Sequence, residues 1–430
     1  MSRGRHVVIR THVLPCKLRQ ATCDALNLYS GRISSGIVSR HWRVLRHNGV
    51  WLSEKSLTKL SDMRWASRDV PMHAHSIDVA QQGFFKACKT TRALRKAGGP
   101  EAHFPWRTKK LRTTIWKNTA ITYKAGTLEL STGAGRRKIR IALPQTLPTA
   151  LHCVEVRLVF ERTSGRYPWH VVLENGTPPR IALGTKTVSV DPGAMHPAVI
   201  GDAHSATVLT CRERRALQRG HAKNLQAFST TLARKTQGSR TYRKLVQAKA
   251  RCKAKYAMVM RDIAHKISHA IVVEAIHRQA QTIVYGDIRT IADGINKGKA
   301  HNQRTSQWHH GTVRAFVQYK AQAEGIAVVL QDEHYTSQTC PHCGHRHKPR
   351  GRVYTCGQCG FSGHRDVVGQ INILSAHTFG VPGKMPAPTT VKYRIPHNVR
   401  VLRKCQGTGQ TTKTVCSLDH RTMPQEAAGL

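Results

Sequence analysis

The sequence predicts an α/β core behind a small antiparallel β-barrel, and three observations carry that expectation. Between about residue 113 and residue 174, apolar residues recur at alternate positions in short runs: Ala120-Ile-Thr-Tyr123, Thr127-Leu-Glu-Leu130, Lys138-Ile-Arg-Ile-Ala-Leu143, Val154-Glu-Val-Arg-Leu-Val-Phe160 and Trp169-His-Val-Val-Leu173. Period-two alternation puts one face of each segment in a core, and short successive strands pair as antiparallel neighbours. From residue 186 onward, strand-like runs alternate with longer helical patterns, as in α/β units. Near the C-terminus two CxxC pairs interrupt that alternation.

Along the chain, Ser76 to Arg95 reads as an amphipathic helix with Ile77, Ala80, Phe84 and Phe85 on its apolar side, and a second helical piece is expected near Leu18 to Leu28. Phe104-Pro-Trp-Arg-Thr-Lys-Lys110 enters the barrel with an aromatic and basic mixture that suits either a nucleic-acid contact or a core anchor. Thr187-Val-Ser-Val-Asp191 is a strand ending at a carboxylate, followed by a Gly turn and a second strand reaching Ile200. Cys211 to about Gln279 reads as a basic helical hairpin broken near Gly238. A strand from Thr282 to Asp287, a loop rich in Gly, Asn and His, a helix around Val313 to Glu324 and a strand from Ile326 to Glu333 complete the alternation. Residues 378–430 lack sustained periodicity and read as a basic, largely disordered tail. No internal repeat is evident.

Charge bounds the partners. The 430 residues contain 69 Lys+Arg against 23 Asp+Glu, a formal charge of +46. A chain this basic repels itself unless a polyanion neutralises it, and nucleic acid held through phosphate contacts is the obvious counter-charge. At 40% hydrophobic residues the chain still has enough apolar material for two to four domains with real cores. Without an apolar signal region or a run of 18 or more apolar residues, neither secretion nor membrane spanning is expected, and the location is expected to be cytoplasmic. Of 12 cysteines only four are grouped, which favours one metal site plus unpaired thiols.

Those four, Cys340-x2-Cys343-x12-Cys356-x2-Cys359, offer a tetrahedral thiolate set for structural Zn²⁺, with Gly344 and Gly360 permitting the tight turns. His345, His347 and His364 stand close enough in sequence to replace a cysteine. Four protein ligands leave no open position for chemistry, so the ribbon shapes the basic loop from Arg346 to Arg352. The scarce acids at strand ends suit a different purpose. Asp191, Asp287, Asp332 with Glu333, and Asp366 at the start of a short helix could converge on two Mg²⁺ or Mn²⁺ ions roughly 4 Å apart, the arrangement that hydrolyses phosphodiesters.

Val190-Asp191-Pro-Gly193, Tyr335-Thr-Ser-Gln-Thr-Cys340-Pro-His-Cys-Gly344 and Arg365-Asp366-Val-Val-Gly-Gln-Ile-Asn-Ile373 resemble the three-part RuvC-like (RNase H-like) domain, with its inserted zinc ribbon, of the transposon-encoded TnpB (OrfB) family. Compact type V CRISPR effectors are related to that family. The resemblance extends through Phe104-Pro-Trp-Arg107, the barrel and Leu232-Ala-Arg-Lys-Thr-Gln-Gly-Ser-Arg240, roughly residues 10 to 376, and is specific in the last third and loose in the first. It implies a wedge-like β-barrel with a helical recognition insertion over residues 1–185, the helices lying within about residues 15–100. A RuvC-like core over 186–336 and 364–376 would carry the basic hairpin 211–279, with a target-binding zinc ribbon at 337–363 and the tail at 377–430.

The activity implied is that of an RNA-guided DNA endonuclease, with guide RNA and single- and double-stranded DNA as partners, no membrane, and a monomer or dimer as the assembly. Base pairing would supply most of the sequence specificity. The family's first and third acids match Asp191 and Asp366. The second departs from the pattern, because Gly286 stands where family members place a glutamate. Glu333 offers a replacement from the neighbouring strand, with Asp287 as its alternative. Arg365 is a candidate for the scissile phosphate, Ser337 and Gln338 for orienting the ribbon or substrate strand, and His196 reads as a loop or core histidine. Two other readings are an RNA-guided DNA-binding protein without nuclease activity, motivated by Gly286, and a guide-independent nuclease or transposition accessory protein.

Overall fold

The computed structural model describes residues 9–60, 72–99, 101–145, 147, 152–161, 164–174, 180–289, 298, 302, 309–349 and 351–396. The expected loop rich in Gly, Asn and His after Asp287 lies mostly outside these residues, as does 397–430 of the expected tail.

Strand β1 (Ile9–Pro15) leads into three helices, α1 (Gln20–Asn48), α2 (Glu54–Leu60) and α3 (Ala74–Lys96). α1 is far longer than the piece expected near Leu18 to Leu28, because small and polar residues such as Ser30, Gly31 and Ser34 are buried along it and weaken its hydrophobic pattern. Gly31 permits the backbone of Lys110 to cross: a Cβ there would lie 2.2 Å from the Lys110 carbonyl oxygen. The following strands are β2 (Thr114–Lys117), β3 (Ile121–Lys124), β4 (Thr127–Leu130), β5 (Ile139–Ala142), β6 (His152–Leu158) and β7 (Pro168–Glu174). They hydrogen-bond as two antiparallel sheets, ordered β1-β7-β6-β2 and β3-β4-β5, rather than as one closed barrel among the described residues. The two sheets share a core that includes Trp116, Leu128, Leu130, Val156, Trp169 and Val171, onto which Leu26 and Ile33 of α1 pack. β1 was not foreseen: its pairing with the whole length of β7 fixes it, although its own residues are largely exposed.

The second half is built on a six-stranded sheet. Its strands are β8 (Lys186–Asp191), β9 (Ala198–Gly201), β10 (Ser205–Leu209), β11 (Ala280–Asp287), β12 (Ala327–Asp332) and β15 (Thr390–Arg394), in the order β12-β11-β8-β9-β10-β15. β8, β9 and β10 form an antiparallel meander, whereas β11 runs parallel to both β8 and β12. Helices α4 (Arg212–Ala233) and α5 (Arg240–His277) form the hairpin; the turn carries Gly238 at φ +82°, and the Ser239 side chain caps α5 by accepting from the Tyr242 N–H at 3.1 Å. Only the second half of α5, from Met260 to Ala275, is buried, so the Lys- and Arg-rich remainder faces solvent. It packs with α6 (His310–Ala323) on the sheet face that carries Ala198 and Ile200. Helix α7 (Arg365–Phe379) lies on the other face, where Val367 meets Val199, Ala206 and Val208. The alternation along β9 thus separates two helical layers.

Residues 378–396 correct the expectation of a disordered tail. Ser375 Oγ donates to the Val381 carbonyl at 2.8 Å, the Gly383 N–H donates to Asn372 Oδ1 at 2.9 Å, and β15 pairs in parallel with β10 along its full length. Composition hid this strand because only Val391 of its five residues packs against a core cluster, while backbone pairing holds the rest. Among the described residues, no helix is long and apolar enough to cross a membrane.

Candidate metal and nucleic-acid site

Register brings the carboxylates together. Tyr285 of β11 stands opposite Val190 of β8 and Leu330 of β12, so Asp191, Gly286 and the residues ending β12 meet at the carboxyl edge of adjacent parallel strands, where open α/β sheets bind ligands. Glu333 folds back over Gly286: a Cβ at that glycine would overlap the Glu333 carboxylate. Asp191 is accommodated in the same way from the other side, because a Cβ at Gly369 of α7 would lie 2.7 Å from Asp191 Oδ2. Asp366, in the first turn of α7, completes the group.

Electrostatics agrees with the geometry. Burial and the neighbouring Asp366 carboxylate push the Asp191 carboxyl up to about 8, against a smaller opposing effect of Arg365. Burial, then Asp191, Asp287 and Asp332, raises Glu333 well above the usual carboxylate range. Glu333 Oε1 is buried without a hydrogen-bond partner among the described residues. Buried acids that repel one another and leave an oxygen unsatisfied fit a divalent cation, which would supply the missing partner and restore ionisation. Asp287 has a different environment. Arg289 donates to it from Nε and Nη2, Arg314 Nη1 stands 3.7 Å away, and these cations hold it below the usual range. Asp332 is exposed and pairs with His334 at 2.6 Å.

Three neighbours escaped the sequence reading. His196 Nδ1 lies 2.7 Å from Asp366 Oδ2, so this histidine faces the acids rather than a loop or core. Arg352, from the basic loop of the ribbon, places Nη1 3.3 Å from the same oxygen. Buried Arg214 of α4 donates to the carbonyls of Gly193 and Ala194 and so fixes the turn after Asp191. The available signal for His196 was its position five residues after a strand-end aspartate, too weak without the fold.

The four cysteines converge. Cys340 Sγ and Cys359 Sγ are 3.7 Å apart, Cys343 Sγ and Cys356 Sγ 3.6 Å, and all four ligand atoms lie within 4.8 Å of one another. Thiolates bound at about 2.3 Å in a tetrahedron have edges of roughly 3.8 Å, so the set could hold a metal such as zinc. Gly344 and Gly360 adopt φ values of +74° and +72° at the two turns. The hairpin β13 (Val353–Thr355) and β14 (Ser362–His364) packs buried Tyr354 with Val368 of α7. The Tyr354 hydroxyl donates to the Gln338 carbonyl at 3.2 Å, so Gln338 orients the ribbon through its backbone; Ser337 is half-buried. Asn372 completes the link by donating to the carbonyls of Thr336 and Thr339 at 2.7 and 2.8 Å.

Two cavities that these acids do not line carry basic side chains among apolar ones. A cavity of about 1430 Å³ is lined by Arg10, His12, Arg261, His265, Tyr319 and Lys320. Near the first sheet, a smaller groove of about 590 Å³ includes Arg107, Lys109, Arg112, Arg157 and His170. Within the segment Phe104–Arg107, Phe104 is a core anchor against Trp42 and Trp51, whereas Trp106 is exposed with Arg107 over its ring.

Comparison with known proteins places this architecture. Residues 310–373 match the family described as Cas12f1-like, TNB domain. A TnpB-like protein of Methanocaldococcus jannaschii is 32% identical over 115 residues, 26% of this chain and 41% of its own length. A Streptomyces pristinaespiralis protein named "Putative RNA-guided DNA endonuclease" is 27% identical over 278 residues, 63% of this chain and 64% of its own. The CRISPR-associated endodeoxyribonuclease Cas12f1 of Syntrophomonas palmitatica is 31% identical over 102 residues, 23% of this chain and 20% of its own. The chain thus spans less than two thirds of the length of each of these relatives. In fold, it is similar to a Cas12f1 solved in complex with single-guide RNA and target DNA, with a TM-score of 0.57 at 12% identity over 83% of both chains. The chain is thus similar in sequence, over part of its length, to TnpB-like proteins and to Cas12f1, and similar in fold to a Cas12f1.

Proposed function

We propose that this chain is an RNA-guided DNA endonuclease with a RuvC-like core, in which Asp191, Glu333 and Asp366 hold two divalent ions and hydrolyse a phosphodiester. The observation that carries this reading is the convergence of the three acids at one sheet edge, with Gly286 and Gly369 clearing the space for two of them. When bound, Mg²⁺ or Mn²⁺ would activate water and stabilise the leaving oxygen. The chain's own residues supply the rest. Asp191 and Glu333 lose their protons to bulk solvent when cations relieve their repulsion. Arg365, beside Asp191, and Arg352, on Asp366, offer positive charge to the scissile phosphate. Arg214 keeps the turn after Asp191 rigid, so that the carboxylate does not reorganise during reaction.

The division of labour follows. The two sheets and three helices of residues 1–185 would hold guide RNA and read a short DNA motif, the basic hairpin within 211–279 would track phosphates, and a zinc-loaded ribbon at 337–363 would touch the target strand. Both grooves combine cations with aromatic rings, which suits backbone neutralisation and base stacking. A cytoplasmic, nucleoid-associated location accords with that chemistry.

The deciding experiment expresses the protein with its native flanking DNA, sequences the RNA that survives high-salt purification, and uses that RNA to direct cleavage of a matched target. The expected result is one dominant RNA and Mg²⁺-dependent cutting, abolished by Asp191→Ala, Asp366→Ala or Glu333→Gln and retained by Asp287→Asn. Binding without cutting by the wild type would move the conclusion to a nuclease-inactive guided DNA-binding protein, the alternative that Gly286 motivates. A mixture of unrelated cellular RNAs would move it to guide-independent binding.

A further inference from the structure

The turn after β8 and the end of β14, which runs directly into α7, bring two imidazoles onto Asp366. His196 Nδ1 is 2.7 Å from Asp366 Oδ2, the His196 and His364 rings are 5.4 Å apart between centroids, and one ligand atom from each of the three residues falls within 4.8 Å of the others. All three side chains are half-buried. His364 Nδ1 already accepts the Asp366 N–H at 3.3 Å as the cap of α7, so its Nε2 is the atom left for a ligand. A second observation points to a cation at this place: Asp366 neighbours a buried acid group in which Glu333 Oε1 has no partner among the described residues.

We propose that His196, His364 and Asp366 form a mixed imidazole–carboxylate site for a transition-metal dication of the zinc class, distinct in ligand chemistry from an all-oxygen Mg²⁺ site. Mg²⁺ holds oxygen ligands and water, whereas imidazole nitrogen favours the later first-row metals; two imidazoles and one carboxylate also leave positions open for water or a phosphate oxygen. Arg352 is the competitor. Its guanidinium stands 3.3 Å from the Asp366 oxygen on a side chain that is 46% exposed and free to swing away. The proposal deepens the nuclease reading, and rests on it only in giving the ion a place next to the reacting phosphate.

The test is equilibrium dialysis of the full chain, its ribbon already zinc-loaded, against Zn²⁺ with and without millimolar Mg²⁺, followed by metal analysis. Co²⁺ spectra then distinguish the sites, because only the cysteine set gives thiolate-to-metal charge transfer. The expected result is a second Zn²⁺ per chain that Mg²⁺ does not displace. His196→Asn and His364→Asn should each weaken it by at least about tenfold, the scale set by losses outside the ligand shell; asparagine at 364 preserves a cap acceptor. Arg352→Gln should tighten it, a change of opposite sign that disrupted folding would not produce. A single Zn²⁺ per chain, a second one indifferent to both histidines, or one displaced by Mg²⁺ would overturn the site. Guided cutting assayed on the same preparations separates the two claims. Cutting with one Zn²⁺ per chain removes the site and keeps the nuclease, whereas histidine-dependent Zn²⁺ without cutting keeps the site and removes the nuclease.

Discussion

The Glu333 carboxylate occupies the space that a side chain on Gly286 would need. Glycine at the end of β11 is therefore the condition under which a glutamate from the neighbouring strand reaches Asp191. Gly286→Ala is expected to force Glu333 out, reduce guided cutting by at least about a hundredfold, which is about 3 kcal/mol of transition-state stabilisation, and cost about 1–3 kcal/mol of stability through overpacking. The sharper measurement is the exchange. Glu333→Ala should be inactive, and Gly286→Glu in that background should recover part of the cutting by returning a carboxylate to the same place from β11.

Asp191 ties stability to pH with a definite sign. Its folded pKa stands at about 8 because of burial and Asp366, far above the unfolded value, so between these limits the folded state binds the extra proton. Stability then falls as pH rises from about 4 to about 8. Asp191→Asn removes this dependence. In Mg²⁺-free buffer the variant should melt above the wild type, by a margin that grows across that window and then levels, reaching at least about 1 kcal/mol, the worth of one pKa unit. Adding Mg²⁺ should narrow the gap by stabilising the wild type alone. Parallel melting curves at every pH would contradict the buried-acid environment.

How far the site could be read in advance differed by residue. The CxxC pairs and the strand-end acids Asp191 and Asp366 were legible because their chemistry is local in sequence: fixed spacing, a Gly turn, a cap position. Glu333 was legible only through an assumption about strand order, which the parallel β11–β12 register bears out. Asp287 stood as its alternative, and Arg289, two residues on, decides its environment. His196 and Arg352 reach Asp366 from 170 and 14 residues away, and no local pattern encodes either approach. β1 and β15 were missed for a related reason: each is a sheet-edge strand held mainly by backbone pairing, so its side chains carry little alternation.

Asn372 couples the four-cysteine ribbon to the helix that carries Asp366. Its side chain is fully buried, donates to the carbonyls of Thr336 and Thr339, and accepts from the Gly383 N–H. Asn372→Leu leaves two backbone carbonyls of buried residues unsatisfied, at about 1–3 kcal/mol for each, and frees the half-buried Gly383 N–H. The expected outcome is a clear loss of stability, with faster zinc release to a chelator than in the wild type. Cys356→Ser should release zinc outright and reduce cutting, while the cooperative melting of the first two sheets persists. Normal zinc retention in Asn372→Leu would mean that the ribbon holds together without its anchor on α7.

The edge strand β15 is held by backbone pairing and by an ion network. It covers β10, its Arg394 carbonyl accepts the Thr210 N–H at 2.8 Å, and Arg394 Nη1 lies 3.4 Å from Glu274. Glu274 also receives Arg278, whose side chain is 9% exposed and bonded to Asp202 and Ser205, so the ion network joins β15 and β10 to the end of α5. Removing one partner from such a network costs about 3–5 kcal/mol, because the other charges stay buried and unpaired. Arg278→Met should therefore destabilise the core far more than Arg394→Met, whose side chain is 30% exposed. Truncation after residue 388 should remove the Arg394 contact to Glu274 together with the backbone pairing of β15, uncover the β10 edge and promote aggregation as unpaired edges do. Comparing melting temperature and light scattering across the three variants tests the network; equal behaviour of the truncation and the intact chain would show that β15 is not part of the sheet in solution.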